Sequence, residues 1–115
     1  MPSTALIDWE QLDMIADGFT PDFVEIYQEY IAEIPQLLSD LGQKIVATDT
    51  VNAAKLAHQV KGSSANFGFV GVSHPIAQIE QDAKAGSLAS AQLLLAQAQS
   101  GFRQAVAEVK AKRGV

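Results

Sequence analysis

The sequence predicts an all-α protein: an antiparallel four-helix bundle preceded by one short helix. Apolar residues recur every three or four positions over long stretches, the period of a helix with one buried stripe. Alternating Val, Ile and Thr, the mark of a strand, is rare, while Ala and Gln are abundant. The apolar stretches are separated by residues that cap or break helices, and the connections between them are short.

Asp8 followed by Gln11 is a capping pair that opens the first, short helix, and Gly18 stops it. Thr20 fits an N-cap with Pro21 in the first helical position, flanked by Phe19 and Val24 as a hydrophobic staple. The second helix then carries Phe23, Ile26, Tyr27, Tyr30, Ile31, Ile34, Leu37, Leu38 and Leu41 on one stripe. Pro35 lies inside it and should bend it, and Gly42 weakens its end. Asp49 or Thr48 caps a third helix that runs to about Phe67, and Gly68 and Gly71 bracket the next turn. Ser73 or His74 caps a fourth helix with Pro75 in its first turn, ending near Lys84 before Gly86. Ser87 opens the fifth, with Leu88, Ala91, Leu94, Leu95, Ala98, Phe102, Val106 and Val109 on one face. Its terminal Lys110, Lys112 and Arg113 suit the negative end of a helix dipole.

The 115 residues form one expected domain, 1–115. A chain of this length buries roughly two thirds of its unfolded surface, enough for one core without staples. There is no Cys, which excludes disulfides, thiolate metal sites and thiol nucleophiles. A net charge of -5 argues against nucleic acid or an anionic membrane as partner. No apolar run approaches the roughly 18 residues of a spanning helix. The opening "MPSTALIDWE" lacks the pattern of a signal peptide, so a cytoplasmic protein is expected.

The third helix holds the unusual residues. On a wheel of about 100° per residue, Leu56, Val60 and Phe67 fall opposite His58, with Ala53 and Ser64 beside them. On the His58 side lie Ala54, Lys55, Lys61, Gly62 and Ala65. The histidine is therefore expected to point outward from a flattened patch with positive charge in reach. Gly62 is the costly residue there, worth about 1 kcal/mol against Ala within a helix. Its absent side chain lets a partner approach closely. Imidazole is a competent nucleophile near neutral pH, and a lysine one turn on can neutralise a dianion carried by the ring. No nucleotide loop, metal cluster or second acid–base pair accompanies them. A phosphoryl carrier fits this set better than an enzyme or a hydrolase. Ser63 and Ser64 either permit close helix packing or place a hydroxyl on the imidazole. His74 is expected at the surface or as a cap, and Trp9 as a lid on one end of the bundle.

"AHQVKGSSANFG" closely resembles the signature of histidine-containing phosphotransfer (HPt) domains, H-x-x-K-G-[SA]-[SA]-x-x-[LVF]-G. His58, Lys61, Gly62, Ser63, Ser64, Phe67 and Gly68 fall on it. "FVEIYQEYIAEIPQLLSDL" resembles the family's preceding helix, and "IAQIEQDAKAG" the following one. The ending "NFGF" is also similar to the phosphotransfer domain of chemotaxis kinases. The resemblance implies a free-standing intermediate of a multistep two-component phosphorelay. His58 would take a phosphoryl group from one receiver-domain aspartate and pass it to another. Lys61 would stabilise the phosphoryl group, and Gly62 would give the receiver clearance. Ser63 or Glu80 would orient the imidazole, Glu80 standing where some relatives carry Gln. A carboxylate there would hold the ring N–H firmly but repel a phosphoryl dianion. The implied partners are receiver domains of response regulators and of a hybrid sensor kinase. No cofactor is implied, the Mg²⁺ being the receiver's, and a monomer is expected. The rival reading is a helical adaptor that docks receivers or kinases without being phosphorylated.

Overall fold

The computed structural model describes residues 6–115, and the first five residues, on which the reading of the N-terminus partly rests, lie outside it. Five helices and no strand occur among the described residues: α1 (Trp9–Ala16), α2 (Pro21–Val46), α3 (Thr50–Asn66), α4 (Val70–Lys84) and α5 (Ala91–Arg113). The helix α2 packs on α3 and α5, α3 packs on α4, and α4 packs on α5, closing a four-helix ring. Connections this short force successive helices to reverse direction. The all-helical bundle with one extra N-terminal helix is the architecture the apolar periodicity predicts.

The first three helix starts lie where the sequence places them. Asp8 accepts from the Gln11 amide, Thr20 from the Phe23 amide, and Asp49 from the Asn52 amide. The capping box at Asp8 is only half made. The Gln11 side chain donates instead to the Asn66 carbonyl, and the Asp8 amide donates to Gly68. Phe19 packs edge-on against Phe23, 5.3 Å between ring centres. The buried line of α2 is Phe23, Tyr27, Tyr30, Ile34, Leu38, Leu41 and Ile45, while Ile26, at the edge of the stripe, is exposed. The helix runs unbroken through Pro35 and past Gly42. A side chain at Gly42 would press on Leu95 at 3.2 Å, so this glycine sets the α2–α5 approach rather than the helix end.

Two helices begin elsewhere than expected. Helix α4 starts at Val70, ahead of Ser73 and His74, and no side chain caps it. Its first amides are met by backbone carbonyls: Val70 donates to Gly68, and Gly71 donates to Leu6. A cap supplied by a distant stretch of backbone leaves no local signature. Pro75 therefore sits inside α4, with no N–H to offer the Gly71 carbonyl one turn back. That carbonyl lies against Gly101 of α5, 2.5 Å from where a Cβ would stand. Helix α5 starts at Ala91, after a turn in which the Ser87 hydroxyl accepts from the Ala89 amide. Leu88 packs on the core from that turn.

An aromatic cluster fixes one end of α3. Tyr30 stacks on Phe67 with ring centres 4.6 Å apart and meets Phe69 edge-on. Its buried hydroxyl donates to Ser64, 2.7 Å away. Gly68 turns the chain between α3 and α4 at φ +73°, and a Cβ there would strike the Asp8 carbonyl. Trp9 covers the end of α5, with the Arg113 guanidinium 4.6 Å above its ring and Arg113 also paired with Asp13. Among the described residues, no helix is long and apolar enough to cross a membrane.

The Gly71–Gly101 contact should be intolerant of a single methyl. Gly101→Ala is expected to lower stability by about 1–3 kcal/mol despite its better helix propensity, because helix backbones must separate. A denaturant midpoint equal to that of the parent would show that α4 and α5 can shift without cost.

Candidate functional site

Helices α3 and α4 build the site together. Ala53, Ala57, Val60 and Ser64 are the buried face of α3, so His58, one residue past Ala57, faces out. Its side chain is 69% exposed. Leu56, expected in the core, is only half-buried, and Ala57 takes that place. Gly62 follows His58 by one turn and is exposed, and a Cβ added to it would meet nothing within 4 Å. Nothing in this chain demands glycine there.

Helix α4 contributes Glu80. It sits beside Ile76, Ile79 and Ala83 on the buried face, and its side chain is only 5% exposed. An isolated buried carboxylate is costly, so its partners decide its state. Three donors reach it: His58 Nδ1 at 2.9 Å and Lys84 Nζ at 2.9 Å, both on Oε2, and Lys61 Nζ at 2.6 Å on Oε1. Burial pushes its pKa up, but hydrogen bonds from Lys61, Lys84 and His58 outweigh that and hold it at about 2. Glu80 is therefore an anion and can only accept. The His58 Nδ1 must then carry the hydrogen it shares with Oε2. The lone pair of the neutral ring is left on Nε2.

Of the expected site residues, the structure brings His58, Lys61 and Glu80 together and places Gly62 on the same exposed face. It does not bring Ser63 to the imidazole. The Ser63 hydroxyl donates back to the Gln59 and Val60 carbonyls of its own helix. Ser64 is also no imidazole partner, being buried under the Tyr30 hydroxyl. His74 is exposed in the body of α4 rather than at its cap. Lys84 is the member that reading the sequence missed. The Glu80–Lys84 spacing of four, with the acid first, is a local signal that could have found it. No cluster of His, Cys, Asp or Glu able to hold a metal occurs among the described residues.

On the α4 side of the imidazole, Ala54, Lys55, His58, Glu80 and Lys84 line an open hollow of about 330 Å³. On the α2 side, a shallow groove of about 270 Å³ runs past Ile26, Glu29, Glu33, Leu37, Gln59 and Ser63. The exposed ring thus stands on a ridge, with cations to one side and acidic and apolar groups to the other.

A family model, Hpt domain, matches residues 25–112, from the second turn of α2 almost to the end of α5. The chain belongs to the Hpt domain family. Hpt domains are phosphocarrier modules that perform histidine phosphotransfer in two-component systems and meet receiver domains. No curated protein and no solved structure gives a significant match. The matched residues leave out α1, which carries Trp9 against Lys112 and Arg113.

The state of Glu80 links the site to stability. Its folded pKa lies below its ordinary value of 4.5. Ionised Glu80 therefore stabilises the fold fully above about pH 4.5, and that contribution is lost as pH falls toward about 2. Acid titration of stability should show a decline over this window in the parent that is smaller in Glu80→Gln. Parallel curves for the two proteins would mean that Glu80 titrates alike in the folded and unfolded chains.

Proposed function

We propose that this protein is an intermediate carrier in a multistep phosphorelay, and that His58 is its phosphoryl acceptor. One observation carries the reading: ionised Glu80 holds Nδ1–H, which leaves the lone pair on Nε2 of an exposed ring, one turn before an exposed glycine. In the forward step, Nε2 attacks the phosphorus of an aspartyl phosphate on a receiver domain. The P–O bond breaks and the receiver carboxylate leaves with its electron pair. The ring keeps its Nδ1 proton, and its new positive charge faces the Glu80 carboxylate. Donation to a second receiver reverses these events on a different aspartate.

The other residues have supporting parts. Lys61 is 35% exposed and stands one turn from His58, so its ammonium can turn from Glu80 Oε1 toward a phosphoryl oxygen. The charge that Glu80 would oppose to that group is offset by Lys84, which stays on Oε2, and by the Lys61 ammonium close by. Gly62 leaves room for the receiver's active-site loops. The Mg²⁺ and the acidic pocket of the transfer reaction belong to the receiver, so the carrier needs no cofactor of its own. The partners are receiver domains of response regulators and of a hybrid sensor kinase, met in the cytoplasm by a monomeric carrier through a small, transient interface.

Incubation with a phosphorylated receiver is the direct test. Label should appear on this chain, be labile in acid and stable in base, vanish in His58→Gln and persist in His74→Gln. Label that survives in His58→Gln overturns the assignment, and a wild type that takes none leaves a docking adaptor.

Gly62 separates clearance from backbone need. Gly62→Ala is expected to raise stability by about 0.5–1 kcal/mol, since its methyl meets open space. Gly62→Gln should fold as well as the parent yet nearly abolish receiver-dependent phosphorylation. Normal transfer by the folded Gln variant would remove clearance as the reason for the glycine.

A further inference from the structure

We propose that Lys84 is a positioning residue that acts through Glu80 Oε2 to weaken this oxygen's hold on His58 Nδ1–H, and so prolongs the life of a phosphoryl group on Nε2. The inference rests on the phosphocarrier reading of His58 given above.

The placement of Lys84 is specific. The carboxylate is divided between the two lysines, Lys61 on Oε1 and Lys84 on Oε2. Only Oε2 is shared with the imidazole, so Lys84 and His58 draw on one oxygen. An ordinary i,i+4 ion pair lies between two exposed side chains and contributes little. Here Lys84 is 65% exposed while its acid is 5% exposed, so a solvated ammonium reaches down to a buried anion. Lys84 also borders the hollow beside the ring, together with Ala54 and Lys55. The charged groups around His58 are therefore Lys55 and Lys61 on its own helix and Glu80 and Lys84 on α4. The helix α2 brings Glu29 and Glu33 to the groove on the other side of α3.

The chemistry of the phosphorylated ring makes that oxygen decisive. When water attacks the phosphorus, the P–Nε2 bond breaks and its electron pair returns to Nε2. With a proton on Nδ1, the leaving group is neutral imidazole. Without it, the leaving group is imidazolate, which leaves poorly. A carboxylate on Nδ1–H stabilises the protonated ring and favours cleavage. A cation on the same oxygen draws charge away and weakens that effect. It also lowers the repulsion between Glu80 and the phosphoryl dianion. Both consequences slow spontaneous loss of the group.

The test uses the full chain without any receiver. Wild type, Lys84→Met, Lys84→Arg, Glu80→Gln and the Glu80→Gln/Lys84→Met double variant are phosphorylated with potassium phosphoramidate. Loss of phospho-His58 is followed by phosphorus NMR from about pH 5 to 9, the range around imidazole titration. Lys84→Met should shorten the half-life about threefold and move the pH profile of loss upward by about half a unit, the scale of one partly exposed charge. Lys84→Arg should restore both. In the Glu80→Gln background, Lys84→Met should change neither. An unchanged half-life in Lys84→Met overturns the proposal. So does an effect of the same size without Glu80, which would place Lys84 directly on the phosphoryl group. A wild type whose His58 accepts no phosphate would instead overturn the carrier reading, and this inference with it.

Discussion

A buried carboxylate with three donors is the interaction on which the functional face depends. Glu80 loses its water by lying on the inner face of α4, and it recovers solvation from Lys61, Lys84 and His58. Two of those donors stand on α3, so the arrangement also ties the two helices together across the site. The imidazole gains a fixed tautomer and orientation, and its other nitrogen stays in solvent. The same carboxylate would oppose an incoming dianion were it unpaired. A glutamate is compatible with phosphoryl chemistry here because two ammonium groups already sit on it.

That geometry requires α3 and α4 to approach closely, and small residues make it possible. Ala53, Ala57 and Ser64 face inward on α3, and Ala83 does so on α4. On the far side of α4, the Gly71 carbonyl meets Gly101. The ring of helices is thus closed by near-backbone contacts around α4, while large side chains fill the space between α2 and its neighbours. The aromatic cluster of Tyr27, Tyr30, Phe67, Phe69 and Phe102 lies below the end of α3. Within it, the Tyr27 hydroxyl is buried without a hydrogen-bond partner among the described residues, and burial pushes its pKa to about 12.

The charge balance has a local meaning that the total hides. The chain is acidic at -5, yet the side of His58 that faces α4 gathers Lys55, Lys61 and Lys84 around a single carboxylate. Glu29 and Glu33 of α2 lie across the ridge. A net negative charge therefore coexists with a site suited to a dianion, because interactions at contact distance outweigh distant charges screened by salt.

The sequence alone determined the helical class, the first three helix starts and the exposed face of α3 that carries His58. Each of these follows from short-range physics. Side chains at Asp8, Thr20 and Asp49 cap amides three residues on, and a 3.6-residue period divides buried from exposed positions. The sequence also marked Gly62 as anomalous, since helix propensity is a local cost. Tertiary structure alone decided what lies between the helices. The start of α4 depends on the Leu6 and Gly68 carbonyls. The Ser63 bond to its own helix and the Glu80–Lys84 pair are local, but Glu80 reaches His58 and Lys61 only through contacts between α4 and α3. Such contacts depend on the distance and rotation between packed helices, which the spacing of residues along one chain does not encode.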